Sequence, residues 1–266
     1  MMKSAWLFTA AMAVLATAAL AGFGFSRVAP SASQAKPEHG AQAPPARIPA
    51  GPAGARIRLG QEIFEQTPHY AAAYVGNQMN CKDCHLSGGR AEYAAPLVGI
   101  PGLFPAYNKR AGRVITLAER IQECFVRSEN GKPPAANSAT MKALLAYFEW
   151  ISKGQPKGKP YPGRGLVKLP ALKGDPGRGA GIYAKQCSIC HGNTGTGMPP
   201  VLPPLWGATS FNDGAGMARV AKMAAFVQRN MPQNAPGTLS PQQAYDVAAY
   251  VNSQPRPKMN PAYSKY

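Results

Sequence analysis

Two stretches repeat one pattern: Cys81-Lys-Asp-Cys84-His85 and Cys187-Ser-Ile-Cys190-His191. C-x-x-C-H is the spacing that attaches a c-type haem. The two thiols add to the haem vinyl groups, and the adjacent imidazole is placed to ligate the iron. The spacing is tight because both thioethers must reach one macrocycle while the histidine approaches its face. A thioredoxin-like or zinc-binding C-x-x-C does not require a histidine after both copies. The chemistry implied is two covalent haems, held by Cys81, Cys84, Cys187 and Cys190, with His85 and His191 as fifth iron ligands.

The sixth ligand decides whether a haem binds substrate or only relays electrons. Among the methionines after the second motif, Met231 is the best placed. It lies 40 residues after His191, in Asn230-Met231-Pro232, where the proline turns the chain at the end of a helical stretch. Met223 reads as core filler inside that helix, and Met198 follows the motif too closely to reach the opposite haem face. The first half has no methionine between Met79 and Met141. Its candidates are His69 and Cys124, with Met141 or an open position behind them.

Cys124 is the fifth cysteine and the one left over after haem attachment. On a helix, Arg120, Arg127 and Ser128 fall four before, three after and four after it, on one face. Guanidiniums there would pair with a sulfur anion and offer forked donors to an oxyanion. Against this stand plainer readings. Arg120 could pair with Glu119 or Glu123, Cys124 could be a buried inert thiol, and His69 a surface histidine.

The elements that must position these groups follow from the rest of the chain. An apolar run, Ala5 to Phe25, after Met1-Met2-Lys3 reads as a signal peptide over residues 1–21, cut near Ala19-Leu20-Ala21, or as an uncleaved anchor. Either reading puts the folded part outside the cytoplasm, in the periplasm. Residues 22–54 form an Ala/Pro-rich tether expected to be disordered, holding His39. A helix is expected over Arg56–Gln66, a loop over Pro96–Arg113, and a helix from Thr116 with Glu119 as its capping box. Another helix opens at Ser138 and stops before Gly154. A Pro/Gly-rich linker over 155–174 is long enough to wrap over a domain surface.

Asp175-Pro176 then starts a second copy of the pattern. Gly179-x-x-Ile182-Tyr183 matches Gly60-x-x-Ile63-Phe64, and Val247-Ala-Ala-Tyr250-Val251 echoes Leu144-Leu-Ala-Tyr147-Phe148. Each half thus has an N-terminal helix, a haem motif, a loop-rich middle and a C-terminal helix. The fold expected is all-α, two tandem cytochrome c domains over 55–154 and 175–266. The net charge of +17 suits acidic partners, anionic substrates or a charged surface. Nucleic acid is excluded as the partner by export and by basic residues scattered outside any recognised module.

Longer stretches narrow this. Thr67 to Asn77, Cys81 to Arg90, Ala95 to Gly99, Leu103 to Tyr107, Arg120-Ile-Gln-Glu-Cys124-Phe-Val-Arg-Ser-Glu-Asn-Gly131, Pro204 to Gly207, Ser210 to Met217 and Asn230 to Pro232 resemble the tetrathionate-forming thiosulfate dehydrogenases, a family of dihaem cytochromes c. The segment around Cys124 is the specific part, since ordinary dihaem cytochromes lack it. The resemblance implies oxidation of two thiosulfate to tetrathionate, reversibly. Electrons would pass from the first haem to the second and on to a soluble or membrane-bound acceptor. It implies Cys124 as distal ligand of the first haem, with Arg110, Arg120 and Ser128 around the substrate. Some members carry a lysine where Asn230 stands; asparagine points to plain His/Met ligation by His191 and Met231. The competing readings are a non-enzymatic periplasmic electron carrier, an enzyme of other sulfur oxyanions, a tetrathionate reductase, and, with least support, a dihaem peroxidase.

Overall fold

The computed structural model describes residues 47–266; the signal-peptide segment and the tether up to residue 46, with His39, lie outside the described residues. In the first domain the chain runs through α1 (Gly51–Glu65), the single turn α2 (Thr67–Tyr70), the short α3 (Leu86–Gly89), an antiparallel pair β1 (Ala106–Asn108) and β2 (Arg113–Ile115), α4 (Leu117–Arg127) and α5 (Ala139–Ile151). The second has α6 (Pro176–Gln186), the single turn α7 (Ser188–His191), α8 (Val220–Asn230) and α9 (Pro241–Ser253). No described helix is long and apolar enough to cross a membrane.

The helix starts are set locally. Thr116 accepts from the amide of Glu119 while Glu119 accepts from the amide of Thr116 at 2.7 Å. Ser138, Asp175 and Ser240 cap α5, α6 and α9, each accepting from an amide the helix cannot satisfy, and Ser240 does so in a second capping box with Gln243. Two features depart from the local reading. α1 starts at Gly51, inside the stretch expected to be tether, with Pro52 in its first turn, where the missing amide costs nothing, and Gly54 packed against the Pro49 carbonyl. The loop expected over Pro96–Arg113 folds its end into the β1–β2 hairpin, with Tyr107 opposite Val114.

In each domain the first helix crosses the last. α1 crosses α5 at Gly60, whose missing Cβ makes room for the Ala143 carbonyl and the Tyr147 side chain; α6 crosses α9 at Gly179, against the Asp246 carbonyl and Tyr250. Only glycine lets two backbones meet this closely. Beyond the crossings, Phe64, Leu144, Tyr147 and Phe148 form one core, and Tyr183, Trp206, Tyr245 and Val251 the other.

Asp246 locks the second crossing. Its side chain is 3 % exposed and accepts from the Asp175 amide at 2.8 Å, Arg178 Nε at 2.7 Å and Gln242 Nε2 at 2.8 Å. The Arg178 hydrogen bond comes first among the contacts that hold its carboxyl below the ordinary value of 3.8. A depressed carboxyl contributes stability above its unfolded pKa, and that stability is lost as pH falls through the folded value. Asp246→Asn should therefore lower the melting temperature at pH 7, and the gap to the wild type should close as pH drops below 3.8. A gap that is unchanged at low pH would count against the ion pair as its source.

The linker is part of the first domain's wall. Gly163 and Gly165 carbonyls accept from the Tyr93 and Ala95 amides at 2.7 Å each, and Leu166 pairs with Ala94 as an antiparallel bridge. Tyr161 is buried in the first core. The domains are also joined directly, within one compact unit. Asn212, fully buried, donates to the Val126 carbonyl at 2.8 Å and to Asn130 Oδ1 at 3.0 Å. Asn77 donates to the Ser128 carbonyl at 2.7 Å and to the Ser210 carbonyl at 3.1 Å. Asn230 Nδ2 reaches the Tyr93 carbonyl at 3.2 Å. Phe226 of α8 packs on Ala91 and Ala94. The C-terminal end of α4 is thereby gripped by the second domain.

Candidate active site

Cys81, Cys84, His85 and Cys124 line one cavity of about 260 Å³. Its apolar wall comes from Leu97, Ile100, Phe104, Leu117, Ile121, Phe125, Leu144 and Phe148. The haem motif is pinned from behind. Thr67 Oγ1 accepts from the Cys81 amide at 3.0 Å, Asn80 Oδ1 from the Thr67 amide at 3.0 Å, and Asp83 Oδ2 from the Asn80 amide at 2.7 Å. His85 Nδ1 lies 2.6 Å from the Ala95 carbonyl, so it carries the proton and Nε2 keeps a lone pair for a metal. Burial, the larger influence, pulls this imidazole down to about 4, which keeps it neutral. Burial raises both motif thiols, Cys84 and Cys81, as suits groups consumed by thioether formation. An apolar cavity, two thiols and a neutral, oriented imidazole fit a covalent haem.

Cys124 reaches this cavity from the third turn of α4. Arg120, one turn earlier, donates from Nη1 to Cys124 Sγ at 3.3 Å and pairs with Glu123 Oε2 at 3.3 Å. The nearness of Cys124 is the first cause that raises the Arg120 guanidinium's pKa. The ion pair with Glu123 and the contact with the sulfur coexist, so the plainer reading of Arg120 holds without displacing the other. Glu123, 4 % exposed, also accepts from Asn108 Nδ2 at 3.0 and 3.1 Å, and Asn108 Oδ1 accepts from the Arg110 amide at 2.9 Å. That chain fixes the hairpin turn carrying Arg110 to the helix carrying Cys124. Ser128 lines the cavity at the end of α4.

Not every residue of the expected face is here. Arg127 turns away into the domain junction, donating to the Gly214 carbonyl at 3.3 Å, to Met259 Sδ at 2.9 Å and to the Tyr266 main-chain oxygen. Of the two arginines flanking Cys124 in sequence, Arg120 alone meets its sulfur. His69 is exposed and stacks edge-on against Tyr70, and Met141 is fully buried in the core; neither lines the cavity. Cys124 does.

Several features of the site carried no signal in the sequence. Asn108 acts by reaching from β1 to Glu123 on α4, a tie that helical spacing could not show. Glu129, 2 % exposed, lines the cavity with Oε2 unpartnered, and burial raises its carboxyl well above the usual range. Met79 lines the cavity while packing into the second domain's core. Arg164, from the linker, lines the same cavity. Only the chain's path over the first domain could reveal it.

In the second domain, His191 Nδ1 lies 3.1 Å from the Pro203 carbonyl, leaving Nε2 free as in the first. Cys187 packs against the core beside Tyr183 and Trp206, and burial raises it to about 11, whereas Cys190 is exposed. These residues fit a second covalent haem. Among the methionines, Met223 is buried and its sulfur accepts from Asn252 at 3.4 Å, and Met198 is 61 % exposed. Met231 caps the end of α8, partly buried against Phe226.

Residues 65–156 match the SoxA/TsdA cytochrome c domain, and residues 174–251 match cytochrome c oxidase, cbb3-type, subunit III. The thiosulfate dehydrogenase of Stutzerimonas stutzeri is 47 % identical over 217 residues, covering 79 % of this chain and 71 % of that one. That of Allochromatium vinosum is 40 % identical over 222 residues, covering 80 % and 82 %. The solved thiosulfate dehydrogenase TsdBA from Marichromatium purpuratum superposes with a TM-score of 0.78 at 42 % identity, over 82 % of this chain; the chain spans 50 % of that longer one. Two cytochrome c domains with two covalently bound c-type haems are thus common ground between the sequence, the fold and these relatives. The chain belongs to the thiosulfate dehydrogenase family of dihaem cytochromes c.

Proposed function

We propose that this protein oxidises two thiosulfate ions to tetrathionate at the first-domain cavity and passes the two electrons through the second domain to an external acceptor. The observation that carries the reading is Cys124. The one cysteine outside the haem motifs shares a cavity with Cys81, Cys84 and His85 and holds a guanidinium at 3.3 Å from its sulfur. An electron carrier has no use for that arrangement.

The roles of the chain's residues follow from their chemistry. Cys81, Cys84, His85 and Cys124 would hold the first haem and its iron; Cys187, Cys190, His191 and Met231 would hold the second. When bound, the two haems supply the sink for two electrons, one each. Thiosulfate is a dianion, so Arg120 and Arg110 bind its sulfonate and offset the repulsion between two such ions. Ser128 offers a hydroxyl to the same oxygens. The Cys124 thiolate and the sulfane sulfur of one thiosulfate form an S–S bond with loss of two electrons. The terminal sulfur of a second thiosulfate then attacks that sulfane sulfur. The Cys124 thiolate leaves and tetrathionate departs, as in thiol–disulfide exchange. No proton is taken up or released.

The reaction places the protein where thiosulfate and an electron-accepting cytochrome or similar high-potential carrier meet, which for an exported cytochrome c is the periplasm. Purified holoprotein should reduce an electron acceptor in proportion to added thiosulfate and form one tetrathionate per two thiosulfate. With reduced donor and tetrathionate it should run in reverse. Thiosulfate that leaves the acceptor oxidised would return the protein to the class of plain carriers.

A further inference from the structure

The helix that carries Cys124 is finished by the other domain. The Cys124 carbonyl accepts from the Ser128 amide at 2.7 Å and the Phe125 carbonyl from the Gly131 amide at 2.9 Å, both within the first domain. The next two carbonyls are met from the second domain instead. Asn212 donates its side chain to Val126 at 2.8 Å and its amide to Arg127 at 3.2 Å. The last carbonyls of a helix have no partner inside it, so this end is held only as well as the loop that closes it.

Arg127, the last residue of α4, does the same with its side chain. It is 8 % exposed and reaches the Gly214 carbonyl, Met259 Sδ and the Tyr266 main-chain oxygen. Residues 254–266, which bring two of these acceptors, run back from α9 and are themselves tied to the second domain. The Pro255 carbonyl accepts from the Gly207 amide at 2.8 Å, the Pro257 carbonyl from the Asp213 amide at 3.0 Å, and Asp213 Oδ1 from the Met259 amide at 2.9 Å. Arg256 stacks over the Phe211 ring at 4.3 Å and donates to the Leu205 carbonyl at 3.3 Å. Segment, loop and guanidinium converge at Gly214, where a Cβ would lie 2.6 Å from Met259 Sδ and 2.9 Å from Arg127 Nη1. Among the described residues no side-chain carboxylate pairs with Arg127, so an ion pair does not account for its burial.

Cys124 lies three positions before Arg127, one turn back on the same helix, and lines the first-domain cavity. The first turn of α4 is held by the Thr116–Glu119 box and its middle by Glu123 on Asn108. Arg127 and Asn212 hold the remaining end. We propose that Arg127 is a positioning residue. Through it the second domain, by Gly214, Met259 and residues 254–266, sets where the Cys124 sulfur stands in the cavity. This role rests on the reading of Cys124 given above and adds that the sulfur is aimed from the other domain. Arg127 itself touches neither substrate nor sulfur, so its influence runs through the placement of α4, where an offset of about 1 Å can cost about a hundredfold in rate.

The test uses purified holoprotein and three readouts: the low-spin signal of thiolate ligation at the first haem, steady-state thiosulfate oxidation, and melting temperature. Arg127→Gln keeps a polar side chain without the fork. It should weaken the thiolate signal or split it into several forms, and lower kcat at least about tenfold. KM for thiosulfate should change little, because Arg120 and Arg110 are untouched, and the second haem's spectrum should stay as in the wild type. Met259→Ala, a change made wholly in the second domain, should move the thiolate signal and kcat in the same direction. In the double variant the losses should not add, since both act through one guanidinium. Lys258→Gln is the control. It removes the exposed pair with Asp213 at 3.1 Å, one residue from Met259, and should leave signal and kcat unchanged.

An Arg127→Gln variant that melts lower but keeps the wild-type signal and kcat would overturn the positioning role and leave Arg127 a tie between domains. Additive losses in the double variant would overturn it too, because Met259 would then act by another route. If Arg127→Gln fails to fold, Met259→Ala decides alone, and an unchanged thiolate signal there is the overturning result. A wild type that shows neither thiolate signal nor turnover would overturn the reading of Cys124 instead, and a wild type with both keeps the two failures apart.

Discussion

Cys124→Ala should leave both haems covalently attached and thiosulfate oxidation reduced by at least about a thousandfold, the scale seen when a covalent nucleophile is removed. The loss is expected in kcat, since the sulfur enters the reaction after the anion is bound, while Arg120 and Arg110 remain to hold substrate. The variant also separates the enzyme from the carrier. Its second haem should reduce and reoxidise with small electron donors and acceptors as before. The low-spin signal of thiolate ligation should disappear from the first. Cys124→Ser restores size and polarity without a soft sulfur and should rescue neither. Retained turnover in the alanine variant would remove Cys124 from the chemistry and with it the reading of the whole cavity.

Gly60→Val and Gly179→Val should each unfold the domain that carries the change. A Cβ on Gly60 would run into the Ala143 carbonyl and the Tyr147 Cβ, and one on Gly179 into the Asp246 carbonyl and the Tyr250 Cβ. The obstacle is backbone on both sides, so no rotamer change relieves it. The cost should reach at least about 3 kcal/mol, a large share of a small domain's stability. In melting temperature this is a drop of more than about 10 °C. Haem incorporation should fall with it, because the helix behind each motif is the one displaced. Gly181, in the same helix as Gly179 but facing open space, is the control: Gly181→Ala should be neutral or stabilising by up to about 1 kcal/mol. Equal melting of the Gly179 and Gly181 variants would show that the crossing is looser than its geometry says.

What could be read in the chain was what is encoded locally. The haem motifs and the caps at Thr116, Ser138, Asp175 and Ser240 are short-range patterns with one physical solution, and the structure has them. The glycine repeat at Gly60 and Gly179 marked a duplication, but its cause, backbone meeting backbone, needed the crossing helices to be seen. Helical spacing placed both Arg120 and Arg127 within reach of Cys124. Arg127 lies three positions on from it, yet the pull of Gly214, Met259 and Tyr266 takes that guanidinium elsewhere. Spacing fixes a face, not which neighbour a long side chain chooses. The Asn108–Glu123 tie and the Asn77 and Asn212 grips join residues far apart in sequence, and no local pattern announces them.

The segment from Tyr161 to Leu166 has a consequence for how such proteins can be cut and recombined. Ala95 donates its amide to the linker's Gly165 carbonyl and offers its own carbonyl to the His85 ring, so a linker residue and the imidazole of the haem motif sit two hydrogen bonds apart. A cut at residue 154, where the C-terminal helix of the first domain has ended, would take that wall away and leave the imidazole's anchor unsupported. Excised after Leu166 instead, the first domain keeps its anchor but still lacks the hands that grip α4. Genetic shuffling that treats the two haem modules as beads on a string would therefore transplant haem sites without their orientation; the transferable unit is the pair.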